Sequence, residues 1–404
     1  MEAQPAPFRI AIPDAEIDDL KQRLARTRYP VQTPAEPWDA GVDIPYLRTL
    51  MTQWHDTFDW RAAEERLNRY PQFTAMVKGE RVHFVRLEAQ RRQGSGERGS
   101  GEPEAIILSH GWPYSFIELL PLAERLADPA AFGGSSDDAL DVVIPSLPGY
   151  GFSEPMADPF TSPAVAERWH TLMTQVLGYA KYATYGEDVG TWVSDRLAAT
   201  HPESVVALFA THAAFPPAER GADLTAEEEE FVAWLDRKWK RASAYSSQQS
   251  TRPDTLAVGL TDSPAGLAAW LVEKFREWSG GSRISDYWST DDLLTTISLY
   301  WFTGTIGTSF RAYYDDKDEP SMPRIGVPVG VSIQWGERGF PRHYAERTYD
   351  DIRFWNDLPT GGHFTAKQTP DLVAADMHAF FGTLRGGGGS AGGGGGPGGG
   401  VSAG

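Results

Sequence analysis

Cysteine is absent from all 404 residues. That removes disulfide bridges, thiolate nucleophiles and Cys-based zinc sites together. Basic charge is scarce as well: 37 Lys and Arg stand against 55 Asp and Glu, for a net charge of −18. A nucleic-acid partner needs a basic face for its phosphates, and none is evident, so nucleic acid is excluded and anionic membrane surfaces are disfavoured. Long apolar runs are also missing. The longest candidate, residues 264–272, runs into Glu273 and Lys274, well short of the roughly 18 residues of a membrane span. Residues 1–10 hold no basic segment followed by an apolar one, so no secretory signal is read. The expectation is a soluble, cytoplasmic protein with no membrane anchor.

Glycine is plentiful, at 41 residues, but 13 of these fall within 386–404. The excess therefore belongs to a tail, and a collagen-like or fibrous chain is ruled out. Hydrophobic content of 41% with 12% aromatic is enough for a sizeable core. No repeat of 20–50 residues is found. Two low-complexity stretches divide the chain: a charged Gly/Ser loop at 90–104, and the Gly-rich tail at 385–404, which reads as disordered.

Residues 1–89 read as an N-terminal domain, mostly helical. Helical spacing runs over 13–26, 46–55 and 61–70, followed by alternating apolar and polar residues at 73–76 and 81–87, as in half-buried strands. Beyond the loop the rhythm becomes strand, turn, helix. Apolar strands at 105–108, 141–144, 182–185 and 205–210 form the first part of a core (105–217). The pattern resumes at 329–334 and ends in a helix over 371–384, the second part (321–384). Continuous apolar strands alternating with helices predict an α/β fold with a buried, mostly parallel sheet. Between the two parts, residues 218–320 are rich in Trp and Tyr and mainly helical: a cap inserted over the sheet.

A hydrolase of this architecture carries its nucleophile on a tight strand-to-helix turn, flanked by small residues because strand and helix pack closely there. The serine form, G-x-S-x-G, occurs only at 388–392 and 400–404, where tail composition generates it. The aspartate form occurs once between a strand and a helix, as Gly186-Glu187-Asp188-Val189-Gly190. Asp188 is the candidate nucleophile. An oxyanion hole needs one N–H after the nucleophile and one from an earlier loop; Val189 supplies the first, and Trp112 of His110-Gly111-Trp112-Pro113 the second. The base is expected late in the chain, and of nine histidines only His363 follows a Gly-Gly turn and precedes the final helix. The orienting acid should follow the penultimate strand, which favours Glu337, with Asp350, Asp351 and Asp357 as rivals.

These residues resemble the epoxide hydrolases of the microsomal and juvenile-hormone type, members of the α/β-hydrolase superfamily with their own N-terminal domain. The similarity covers about residues 5–384. It includes Pro7-Phe8-Arg9-Ile10, His110-Gly111-Trp112-Pro113, Pro145-Ser146-Leu147-Pro148-Gly149-Tyr150-Gly151-Phe152-Ser153, Ser250-Thr251-Arg252-Pro253-Asp254-Thr255, Tyr300-Trp301-Phe302-Thr303-Gly304-Thr305 and Gly361-Gly362-His363-Phe364.

The resemblance implies two cap tyrosines that hold and protonate the epoxide oxygen, Tyr245 and Tyr313, with Tyr314 as the alternate one residue on. Together with Trp112 and Pro113 they form the expected substrate-binding set. It further implies attack by Asp188 on a ring carbon, a covalent hydroxyalkyl ester, and hydrolysis by water activated at His363, which Glu337 orients. A vicinal diol leaves. No metal or organic cofactor is called for; the partners are an apolar or aromatic epoxide and water, and a homodimer is compatible with the sequence. Detoxification and secondary metabolism are the settings such a substrate suggests.

The sequence departs from the family at Glu187 and Val189, where a small residue and Trp are usual. A second carboxylate there is expected to raise a carboxyl pKa or crowd the turn. Two other readings share parts of this pattern. A haloalkane or haloacid dehalogenase uses the same Asp nucleophile without paired tyrosines, and a non-catalytic relative would act as a binding protein.

Overall fold

The computed structural model describes residues 4–91, 102–213, 223–281, 283–315 and 319–385. Most of the loop, the start of the cap as predicted and the tail 386–404 lie outside these. Nine strands form one sheet in the order β1-β2-β3-β5-β4-β6-β7-β8-β9. The first three, β1 (Ala6–Phe8), β2 (Gln72–Val77) and β3 (Glu80–Leu87), pair antiparallel, and β3 joins β5 antiparallel. From β5 (Asp141–Pro145) through β4 (Ala105–Ser109), β6 (Tyr182–Gly186), β7 (Val205–Ala210) and β8 (Ile325–Ile333) to β9 (Tyr349–Asp357) the pairing is parallel. The mostly parallel sheet matches the expectation, and its centre is dry: Ile106, Ile107, Leu108, Val143 and Ile144 are fully buried. The boundary at residue 89, however, divides one sheet, because β1–β3 are its antiparallel edge.

Helices cover both faces. The first three are α1 (Asp14–Ala25), α2 (Ile44–Asp56) and α3 (Trp60–Leu67), with Asp43 and Asp59 capping α2 and α3 through the N–H groups of Tyr46 and Ala62. In the first part of the core come α4 (Phe116–Ala127), α5 (Ser162–Thr171) and α6 (Val189–Thr200). The cap comprises α7 (Ala226–Ala242), α8 (Ala244–Thr251), α9 (Pro253–Asp262), α10 (Pro264–Trp278), α11 (Thr290–Thr303), α12 (Ile306–Ser309) and α13 (Arg311–Tyr314); α14 (Arg342–Ala345), α15 (Thr365–Gln368) and α16 (Pro370–Arg385) complete the core.

The N-terminal helices clasp the cap. Trp54 Nε1 donates to Ser298 Oγ at 3.0 Å in a buried contact, Arg66 reaches Thr295 at 3.1 Å, and Trp60 packs on Phe302. Among the described residues no single helix is long and apolar enough to cross a membrane; α9 and α10 pass that test only as a pair bent by 118°.

One buried carboxyl in this frame sets a pH dependence. Asp195 on α6 is 1% exposed, and its polar contact is the Tyr349 hydroxyl at 3.2 Å. Burial pushes its carboxyl up to about 8, only partly offset by Tyr349, His212 and Arg196. Between the ordinary carboxylate pKa and about 8, the unfolded chain loses this proton while the folded one keeps it, so stability falls as pH rises. Asp195→Asn, which keeps an acceptor for Tyr349, should melt with the parent near pH 4 and several degrees above it at pH 8–9. That corresponds to a gain on the order of a few kcal/mol. Equal melting points at both pH values would refute a buried, protonated Asp195.

Candidate active site

The site is built at the carboxyl ends of the parallel strands, where an open α/β sheet leaves a crevice. Asp188 follows β6 and has φ +54°, ψ −123°, a backbone conformation that costs free energy and is kept only where packing enforces it. The packing is explicit. A Cβ at Gly186 would lie 1.9 Å from the Gly190 carbonyl oxygen, and one at Gly190 would lie 2.1 Å from that of Ser109. Gly111 faces the nucleophile itself, since a Cβ there would come within 2.4 Å of Asp188 Cβ.

The backbone N–H of Trp112 donates to Asp188 Oδ1 at 3.0 Å, and that of Val189 also bonds the carboxylate. The two expected oxyanion donors therefore both reach the nucleophile's carboxylate. His110 explains how the loop is held. Its Nε2 accepts from the Leu147 N–H and its Nδ1 lies 3.0 Å from the Gly111 carbonyl, a pair of contacts that fixes one neutral tautomer. Burial lowers its pKa to about 4, so it stays neutral. Pro113 is buried next in the chain.

The other carboxylate oxygen, Oδ2, lies 3.3 Å from His363 Nε2, near enough for an ion pair though without hydrogen-bond alignment. Burial alone would push the Asp188 carboxyl up. His363 and the N–H groups of Trp112 and Val189 outweigh it and hold the carboxyl below its ordinary range. The expected upward shift from a neighbouring Glu187 is thus not found at Asp188.

Above the carboxylate stand the cap tyrosines. Tyr245 on α8 is 4% exposed and stacks on Trp112 at 5.3 Å, with planes 8° apart; Tyr313 on α13 meets both rings edge-on. The Tyr313 hydroxyl is buried, whereas Tyr314 is 40% exposed, so of the two it is Tyr313 that faces inward. Burial and then the charge of Asp188 push both phenols well above the ordinary value, which keeps them protonated as donors.

This arrangement can be set beside known proteins. Residues 5–119 match the epoxide hydrolase N terminus family and residues 104–364 the alpha/beta hydrolase fold family. The chain is 31% identical to epoxide hydrolase 1 of Sus scrofa over 94% of its own length and 88% of that protein's. It is 36% identical to a Stigmatella aurantiaca protein that carries the epoxide hydrolase name provisionally, over 94% and 85% of the two chains. The crystal structure of juvenile hormone epoxide hydrolase from the silkworm Bombyx mori superposes with a TM-score of 0.81 at 27% identity, covering 95% and 94% of the two chains. The chain belongs to the epoxide hydrolases.

In this epoxide hydrolase the acid is less simply placed than the nucleophile. Glu337 closes a 3-10 turn after β8 and is 9% exposed. Its side-chain partner is not His363 but His212: Glu337 Oε1 lies 3.3 Å from His212 Nδ1, which is also 2.8 Å from Gln334 Nε2. The His212 ring meets that of His363 edge-on at 5.2 Å. Burial opposes both charges, but the pair prevails: the Glu337 carboxyl is held low by His212, then by Lys238 and His363, and His212 is raised by Glu337. Glu337 is therefore hydrogen-bonded to His212, and its link to His363 is one of charge alone. Of the rivals, Asp350 pairs with Arg324 and Asp351 with Arg353 on β9, and Asp357 ends that strand.

Two site residues had no signal of their own in the sequence. His212 follows β7 in a chain with nine histidines. Trp278, the last residue of α10, accepts from the His363 N–H through its carbonyl at 2.8 Å and sets its ring 5.0 Å from the imidazole. The Gly361-Gly362 turn is now explained by the cap. A Cβ at Gly362 would lie 2.4 Å from the Trp278 carbonyl oxygen, so only glycine lets the end of α10 seat against the turn that carries the base.

Proposed function

We propose that this epoxide hydrolase works through a covalent ester on Asp188 and takes a sizeable apolar or aromatic epoxide. The observation that carries the reading is the split environment of one carboxylate. Oδ1 accepts from the Trp112 N–H, the Val189 N–H also bonds the carboxylate, and Oδ2 faces an imidazole. A carboxylate with that geometry can attack through Oδ2 while its carbonyl oxygen is already seated where negative charge develops in the next step. Tyr245 and Tyr313 present protonated hydroxyls to the leaving oxygen, one of which supplies its proton. His363 then takes a proton from water, the water oxygen adds to the ester carbonyl, and collapse expels the diol and restores the carboxylate. The rings of Trp112, Trp278, Phe310 and Phe364 around these groups favour an apolar substrate, of the kind met in detoxification or secondary metabolism.

The decisive experiment is a single turnover in heavy-oxygen water with styrene oxide. Label should enter Asp188 and be absent from the diol of the first turnover; label in that diol would refute the ester. Tyr245→Phe and Tyr313→Phe should each slow ester formation by roughly 10- to 100-fold, since one phenol remains when the other is lost. A dehalogenase-like mechanism, which has no alkoxide to protonate, would be indifferent to both changes.

A further inference from the structure

The carboxylate next to the nucleophile does not face the reaction. Glu187 is 0% exposed and turns behind the Asp188 turn, where one oxygen, Oε1, gathers three donors: the Tyr185 hydroxyl at 2.5 Å, the Thr365 hydroxyl, and the Ala366 N–H at 2.7 Å. Thr365 and Ala366 are the second and third residues after His363. The Thr365 hydroxyl also lies 3.3 Å from that of Thr211, beside His212. The side chain adjoining the nucleophile in sequence thus bonds the segment carrying the base, 175 positions away from Asp188 along the chain (363 − 188). On the other side, the His363 N–H is bonded to the Trp278 carbonyl of the cap. The base is held between a cap contact and a core contact, and Glu187 is the core contact.

Tyr114 adds to this setting. It packs edge-on to His363 at 6.1 Å, and its hydroxyl is buried, with a pKa raised by burial and then by Glu187 and Asp188.

We propose that Glu187 is a positioning residue for the second half of the reaction, locking the His363 segment to the Asp188 turn so that the imidazole meets water in line with the ester. This rests on the ester mechanism given above. Attack on the epoxide needs Asp188, seated by the close-packed turn at Gly186 and Gly190 and by the Trp112 N–H, and the tyrosines, which the cap helices α8 and α13 carry. Ester breakdown needs His363 at a set distance, and a displacement of about 1 Å in such a group costs on the order of 100-fold.

Glu187→Ala should therefore leave ester formation within about threefold of the parent and slow ester breakdown by roughly 10- to 100-fold. In steady state kcat and KM should fall together, with kcat/KM preserved. Glu187→Gln keeps an acceptor for all three donors and should recover most of the breakdown rate. Thr365→Val removes one donor without touching the turn and should slow breakdown by about two- to tenfold; it carries the test if Glu187→Ala does not fold. The measurement is rapid acid quench with styrene oxide, following the mass of the Asp188 peptide in the parent and each variant. An ester in the parent whose breakdown is unchanged by these substitutions, or a fall in kcat/KM that matches the fall in kcat, would overturn the positioning role alone. A parent in which no ester forms, even with His363→Gln, would overturn the mechanism and this role with it.

Discussion

Asp188→Asn should fold as the parent does and lose turnover by roughly 10⁴-fold or more, the loss seen when a covalent nucleophile is removed. Preservation of the fold is expected on geometric grounds. Asp188 has φ +54°, and Asn has the same shape as the Asp already held there by packing, so the turn gains little further strain. An Asn Oδ1 can still accept from the Trp112 N–H, which bonds Asp188 at 3.0 Å. What is lost is the nucleophilic carboxylate oxygen facing the epoxide. Because the Asp188 carboxyl is held below its ordinary range, it is ionised throughout the neutral region in the parent, and activity there is not limited by its protonation. A melting curve beside a diol assay at saturating epoxide decides the matter. A folded variant keeping more than about one hundredth of parental turnover would place the nucleophile elsewhere.

What could be read from the chain alone follows from the range of the constraint. Gly186 was legible because the contact that forbids a side chain there is local: the turn brings the Gly190 carbonyl oxygen within 1.9 Å of a Cβ on Gly186, whereas Gly190 is kept bare by the Ser109 carbonyl of the neighbouring strand. His363 was legible for a related reason, although the cause of its Gly-Gly turn, the end of α10 pressing on Gly362, lies in a distant cap helix. The buried strands announced themselves through unbroken apolar runs such as Ile106–Leu108.

Strand β9 did not. It is an edge strand, largely half-buried, whose Asp350, Asp351 and Asp357 looked like candidate acids and instead form surface ion pairs or end the strand. Strands β2 and β3 fall in the N-terminal unit 1–89 as read from the sequence, because no local signal tells which sheet a strand joins, and the three residues of β1 are too few to show a strand pattern. The Glu337–His212 contact spans 125 positions, and Glu187's bonds to Thr365 and Ala366 span 178 and 179; neither leaves a pattern within any window of sequence. The site was legible where backbone sterics dictate residue type and opaque where side chains from separate strand ends meet.

His363→Gln should separate the two halves of the reaction. The imidazole is not needed for the carboxylate to attack the epoxide, so the first equivalent of substrate should be consumed and the ester should form. Its breakdown, deprived of a general base, should slow by roughly 10²- to 10⁴-fold. Gln is chosen because it fills much of the imidazole's place without taking a proton, while the backbone tie from residue 363 to the Trp278 carbonyl, 2.8 Å in the parent, needs no side chain. One consequence can cut against ester formation: His363 Nε2 lies 3.3 Å from Asp188 Oδ2 and is the foremost contributor holding that carboxyl low. With the imidazole gone, burial pushes the Asp188 carboxyl up, and ester formation should become more sensitive to acid than in the parent. The expected result is therefore a trapped ester above neutral pH, seen as a mass increase equal to the whole epoxide on the Asp188 peptide, and slower trapping as pH falls. Steady release of diol at the parental rate, with no mass increase on that peptide, would remove His363 from the role of base.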